Sequence, residues 1–119
     1  MAKKKPKPKL PLIGLWVIVS MSNWDEDYIN EEVQAFIKFE PGRRGELHFG
    51  YVRGIMDYRE ATNDDKPRIE WSWEGNDEMD PAQGRGWAVL DGERLKGMIF
   101  FHQGDESEFE AERDAVEED

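Results

Sequence analysis

Cysteine is absent from all 119 residues. Disulfides, zinc–thiolate sites, iron–sulfur clusters and thiol nucleophiles are therefore excluded for this chain. Long apolar runs are also missing. The most apolar stretch, residues 10–19, is interrupted by Pro11 and Trp16 and is too short to cross a bilayer as a helix. No membrane partner is expected.

Positive charge is scarce beyond the first residues. The chain has 16 Lys and Arg against 27 Asp and Glu, a net charge of −11. Five lysines precede residue 10, and every acidic residue follows it. The part of the chain after residue 10 is therefore strongly acidic. It repels nucleic-acid phosphates, which argues against nucleic-acid binding. We predict a disordered basic tail over residues 1–11, a single β domain over 12–113 and an acidic disordered tail over 114–119.

The lysine-rich start has a second interpretation. Lysines followed by an apolar stretch match the first two regions of a secretory signal peptide. However, no Ala-x-Ala cleavage site follows, and a buried first strand over residues 12–21 explains the apolar stretch better. The expected localisation is cytoplasmic.

Period-2 patterns dominate the remaining sequence. Ile69, Trp71 and Trp73 alternate with polar residues, and the same alternation recurs through residues 33–39 and 106–112. Asp91-Gly92 is typical of a two-residue hairpin turn. We predict an all-β fold, an antiparallel meander of six to eight strands, with one short helix near residues 24–31. A small barrel or coiled half-barrel is favoured over a sandwich, because closure removes exposed strand edges.

Two polar segments read as connections between strands. Residues 60–67 are predicted to be an exposed loop, and residues 75–84 a long acidic connection. Gly50 and Gly54 interrupt the strand that opens at Leu47, where a bulge or a sharp coil would shift its apolar phase.

Few residues suggest catalysis or metal binding. His102, Asp105 and Ser107 include the residue types of a hydrolase triad, but they lie on one hairpin without a nucleophile elbow. The acidic residues of 74–80 lack the spacing of a calcium loop. We therefore predict no metal site, and no motif demands a cofactor. A small enzyme using Arg85, His102, Asp105 and acidic loop residues is one alternative function.

Tryptophan is abundant, with five residues. Trp71, Trp73 and Trp87 fall on two successive predicted strands, where they either fill a small barrel or line a ligand cavity. With Arg85 and His102 they form our predicted ligand-binding set. The predicted function is a non-enzymatic domain that binds a small molecule or peptide at a Trp-lined interior or mouth. A protein–protein interaction module using a sheet face is a further alternative, and the oligomeric state stays open.

Two resemblances add to these predictions. The segments 71–80, 84–90 and 97–111 resemble a family of small bacterial proteins of unknown function, which implies no particular activity. Gly14-Leu15-Trp16 resembles the Gly-x-Trp that opens lipocalin-type barrels. In those barrels the tryptophan plugs one end, often beneath a basic side chain from the last strand. The resemblance implies that Arg113 takes that position over Trp16.

Overall fold

A computed structural model describes residues 12–63 and 65–114, apart from the side chains of residues 62 and 63. The predicted basic tail, residues 1–11, lies outside the described residues, as does the acidic tail beyond Asp114. The described chain forms eight strands and one short helix: β1 Gly14–Met21, α1 Glu26–Ile29, β2 Phe36–Glu40, β3 Arg44–Phe49, β4 Val52–Asn63, β5 Lys66–Asp77, β6 Asp80–Asp91, β7 Arg94–Phe101 and β8 Glu106–Arg113.

The strands form a closed barrel in sequence order. Each pairs antiparallel with the next, and β8 returns to pair with β1, placing Trp16 opposite Arg113 and Met21 opposite Phe109. The predicted all-β meander is therefore confirmed, and it closes as a barrel rather than a sandwich. The single short helix falls within the predicted residues 24–31.

Alternation decides which side chains fill the barrel. On β5, Ile69, Trp71 and Trp73 are buried, whereas Glu70 and Ser72 between them are exposed. Because successive side chains of a strand point to opposite faces, one face of each strand contributes to a single core. That core is aliphatic and aromatic, and Ser107 is its one buried polar residue in the described part of the chain.

The two predicted long connections are instead strand. β4 and β5 stay paired up to Asn63 and Lys66, and β5 and β6 up to Asp77 and Asp80. Only Glu78 and Met79 join the latter pair, with Glu78 at a φ of 62°. The prediction was wrong because polar side chains mark solvent exposure, while backbone pairing does not depend on them.

A turn, not a bulge, occurs where the apolar phase shifts. Gly50 and Tyr51 join β3 to β4, and Gly50 has a φ of 60°. A Cβ on Gly50 would lie 2.4 Å from the ring of Tyr28, so this turn admits the tyrosine only because residue 50 is glycine. The irregularity in the barrel ladder lies between Ile18 and Ser20, where β1 pairs with β8.

Candidate functional site

One end of the barrel is closed by Trp16. Its side chain is 1% exposed, and its indole N–H donates to the carbonyl of Leu12 at 3.0 Å. The Arg113 guanidinium lies 4.2 Å from the centre of the indole ring and also donates to the carbonyl of Ile13. The stacked contact expected from the Gly-x-Trp resemblance is present, and it closes this end of the core.

Trp71 and Trp73 pack inside the barrel wall. The ring of Trp71 lies 5.6 Å from that of Phe39 and 6.4 Å from that of Phe109, measured between centroids. A Cβ on Gly86 would come within 2.4 Å of Trp71, and one on Gly54 within 2.7 Å of Trp73. Glycines on the adjoining strands thus make the room that the two indoles occupy, and both tryptophans act as core residues.

The indole nitrogens of these two tryptophans differ in their partners. The Trp73 N–H donates to the carbonyl of Phe100 at 3.2 Å. The Trp71 N–H is buried and finds no hydrogen-bond partner among the described residues. Leaving a buried donor unpaired costs stability, so Trp71 is held by its apolar contacts.

Trp87, the third predicted tryptophan, faces outward. The guanidinium of Arg68 lies 4.7 Å from its ring centre, and the same guanidinium pairs with Glu70 at 3.0 Å. Trp87 therefore lies on the opposite side of the barrel wall from Trp71 and Trp73. The three tryptophans do not line one surface.

The other end of the barrel is formed by the segment around α1. Asp25 caps the helix by accepting from the Tyr28 N–H at 2.9 Å, which fixes the orientation of Trp24 and Tyr28. The ring of Trp24 then lies 5.4 Å from Phe49 and 6.2 Å from Phe101. This end carries a cluster of aromatic rings that is only partly buried.

A cleft of about 960 Å³ opens beside these rings. We call it the mouth cleft. Its aromatic wall is Trp24, Tyr28 and Phe101, and its other residues come from the tips of β4, β5 and β6 and from the β7–β8 turn. The polar and charged lining residues are Glu74, Asp77, Asp80, Gln83, His102 and Asp105. An apolar wall with a few polar groups at the rim is the usual form of a small-molecule site.

The electrostatics of the mouth cleft are reflected in Tyr28. Burial raises the pKa of its hydroxyl above the usual value, and the nearby carboxylate of Asp77 raises the pKa further. Both influences disfavour the phenolate, because burial removes water and Asp77 adds a like charge. Asp77 is thus close enough to Tyr28 to affect the titration of its hydroxyl.

Arg85 and His102 line one groove near this end, and only His102 also reaches the mouth cleft. Arg85 is exposed on the outside of β6, and no ion pair recorded for the described residues includes it. It lines an adjoining groove of about 780 Å³ together with Trp73 and His102. His102 lines both this groove and the mouth cleft. The predicted set is therefore spread over the core, the outer wall and the rim.

Ser107 is committed to holding the backbone. Its hydroxyl oxygen accepts from the Asn23 N–H at 3.0 Å, and its proton goes to the Glu108 carbonyl at 2.9 Å. By fixing Asn23, Ser107 also fixes the start of the segment that carries Trp24.

Sequence reasoning missed the aromatic wall. Trp24 and Tyr28 both fall in the short helix predicted near residues 24–31. In the structure only Tyr28 lies in α1, and Trp24 precedes the helix cap Asp25. Two large rings in a short acidic segment were the available signal, because such a segment cannot bury them by itself.

Within residues 12–63 and 65–114, no three His, Asp or Glu side chains are grouped closely enough to hold a metal ion. The helix described there is also not long and apolar enough to cross a membrane. No family model, curated protein or solved structure matches this chain.

Proposed function

We propose that this chain is a non-enzymatic binding domain that takes a small molecule in the mouth cleft. The observation that carries the proposal is a cleft of about 960 Å³ at the one barrel end that Trp16 leaves open. Small-molecule sites are concave and typically about 300–1,000 Å³ in volume. The mouth cleft lies within this range.

The chemistry of the lining supports the same function. Trp24, Tyr28 and Phe101 present large apolar surfaces, while His102 and Asp105 lie at the rim. Aromatic rings provide most of the contact area in such sites, and a few polar groups orient the ligand. The cleft combines both kinds of group.

The resemblance of Gly14-Leu15-Trp16 to lipocalin-type barrels adds support. Eight-stranded up-and-down barrels of that type are just wide enough to hold one small ligand, and they admit it at one end. Here the Trp16 end is sealed, so the resemblance favours the opposite end. The second resemblance, to small bacterial proteins of unknown function, contributes no activity.

The mouth is a better candidate than the interior. Trp71 and Trp73, which could have lined an interior cavity, pack against neighbouring rings and glycines. The enzyme alternative stays a prediction, although Arg85 does not line the mouth cleft and the Ser107 hydroxyl is already hydrogen-bonded. The sheet-face interaction module also stays a prediction.

A matched series of three naphthalene compounds tests the proposal: 1-naphthylmethylammonium, 1-naphthalenemethanol and 1-naphthoate. Each is titrated into the ¹⁵N-labelled protein and followed by NMR. We expect at least one of them to cause saturable shifts of the Trp24 indole N–H and of the amides around Phe101. The Trp87 indole N–H on the outer wall is the internal control and should not move.

Variants separate the mouth from other surfaces. Trp24→Leu should weaken binding of the compound that shifts the mouth signals, whereas Trp87→Leu should leave it unchanged. If none of the three compounds binds, or if saturable shifts appear only around Trp87, the proposed function is wrong.

A further inference from the structure

We propose that the mouth cleft selects an organic cation, a small amine or quaternary ammonium compound whose charged group lies between the aromatic wall and the rim carboxylates. This inference rests on the proposed function and specifies its ligand class. It follows from three features of the cleft: the sign of its charges, the faces of its rings, and the spread of its carboxylates.

The charges that line the cleft are of one sign. Glu74, Asp77, Asp80 and Asp105 contribute carboxylates, and no lysine or arginine is among the lining residues in the described part of the chain. Arg85 lies on the same outward face of β6 as Gln83 and lines the adjoining groove rather than the cleft itself. The charged groups that line the cleft therefore favour a cation over an anion.

Within the described residues, the rim carboxylates also form no ion pairs. Acidic residues on the outer wall are often paired, as Asp57 is with Arg59 at 2.6 Å and Glu70 with Arg68 at 3.0 Å. None of the ion pairs found in residues 12–63 and 65–114 includes Asp77 or Asp105. Their charge is therefore available to a ligand.

The aromatic wall favours an organic cation over a neutral molecule. Trp24, Tyr28 and Phe101 are partly exposed, so ring surface remains open at the cleft. The face of an aromatic ring attracts a cation through its quadrupole, and quaternary ammonium groups are bound in this way by several rings together. Rings and carboxylates thus select the same charge by different means.

The spread of the carboxylates distinguishes an organic cation from a metal ion. Ca²⁺ and Mg²⁺ need several oxygen ligands about 2.0–2.6 Å from one point. The described acidic side chains do not converge in that way. A bulky ammonium compound, by contrast, needs only carboxylates distributed around its charge, together with apolar surface for its carbon atoms.

The experiment compares the same three naphthalene compounds by affinity. 1-Naphthylmethylammonium should bind about tenfold or more tightly than 1-naphthalenemethanol, since a cation gains both ring and carboxylate contacts. 1-Naphthoate should bind most weakly. Raising the NaCl concentration should weaken binding of the cation and leave that of the alcohol unchanged, because salt screens exposed charges.

Two charge-neutral substitutions with nearly unchanged shape provide the variants. Asp77→Asn and Asp105→Asn should each weaken binding of the cation by about two- to fivefold, the size expected for a partly exposed charge pair. Glu93→Gln, which makes the same charge change in the β6–β7 turn next to the Trp16 end, is the matched control. It should have no effect on the affinity.

Each outcome decides between the two proposals. If the alcohol binds as tightly as the cation, or if Asp77→Asn and Asp105→Asn behave like Glu93→Gln, the charge selection is wrong while the binding function stands. If CaCl₂ displaces 1-naphthylmethylammonium at concentrations far below those at which NaCl weakens its binding, the cleft binds a metal ion and the proposed selection of an organic cation is wrong. If no compound binds, both proposals fail together.

Discussion

Trp16 on β1 and Arg113 on β8 lie opposite each other in the ladder that closes the barrel, with the guanidinium 4.2 Å from the centre of the indole ring. Residues 97 positions apart thus meet through both backbone and side chain. The contact seals one end of the core and joins the two strands that complete the barrel. We expect the closure to depend measurably on it.

A double-mutant cycle measures this dependence. Trp16→Leu and Arg113→Ala, alone and combined, are unfolded in urea. The coupling energy should be about 0.5–2 kcal/mol. Exposed cation–π pairs lie at the lower end of this range and desolvated pairs at the upper end. Trp16→Ala should be more damaging, by about 3–5 kcal/mol, because it leaves a cavity. Additive single effects would mean that the two side chains do not stabilise each other.

Gly86→Ala tests how tightly Trp71 is packed. The added Cβ would lie 2.4 Å from the indole, and the resulting strain should cost about 1–3 kcal/mol of unfolding free energy. In a Trp71→Phe background the smaller ring leaves room, so the same substitution should cost clearly less. Equal losses in the two backgrounds would show that the indole is not the obstacle. The denaturation midpoint is the measurement.

Ser107→Ala should affect the mouth without touching a ligand. The Asn23 N–H loses the acceptor of a partly buried hydrogen bond, which should cost about 0.5–1.5 kcal/mol. Since Asn23 precedes Trp24, binding of 1-naphthylmethylammonium should also weaken. Ser72→Ala on the exposed outer wall is the control for both measurements. Unchanged affinity in Ser107→Ala would show that the hydrogen bond between Ser107 and Asn23 does not position Trp24.

The pKa of Tyr28 predicts a loss of stability at high pH. Its pKa is raised in the folded protein, so the neutral phenol is favoured there and the associated stability is fully present below pH of about 10. The stability should be lost as pH rises through the folded pKa. Tyr28→Phe should reduce this loss, and Asp77→Asn should lower the pKa of Tyr28. Urea unfolding at several alkaline pH values and phenolate absorbance measure the two effects. No change in Tyr28 titration in Asp77→Asn would contradict the effect assigned to Asp77.

His102→Gln separates a binding domain from an enzyme. We expect the wild type to hydrolyse none of the ester, phosphate or glycoside substrates. His102→Gln should change the affinity for the cation by less than about threefold, since an imidazole and an amide both form hydrogen bonds. The assay is a chromogenic substrate panel run on the wild type and the variant. Robust turnover lost in His102→Gln would favour the enzyme alternative.

The sequence predicted those parts of the fold that depend on local alternation. The pattern around Ile69, Trp71 and Trp73 gave a correct strand and its buried face, and the Gly-x-Trp resemblance gave the position of Arg113. Strand ends were missed at residues 60–67 and 75–84, because charged outward-facing residues of a strand look like loop residues. Backbone pairing decides whether a residue belongs to a strand, and the polarity of single residues does not reveal that pairing.

The mouth cleft could not be predicted in the same way. Trp24, Asp77 and Phe101 come together only because the barrel closes and three hairpins end at one rim. Contacts between residues so far apart depend on register, which local patterns fix only within a hairpin. Of the predicted ligand-binding residues, His102 alone lines the mouth cleft, because its turn is part of that rim.

Closure through β8 and β1 also limits aggregation. A closed ladder offers few unpaired backbone groups to another chain, and the strand stretches that extend past their neighbours, residues 59–63 and 80–82, carry charges or Pro81. Opening the barrel between β1 and β8 would expose two long edges at once. Variants that weaken the Trp16 end should therefore form β-rich aggregates at concentrations where the intact protein stays monodisperse.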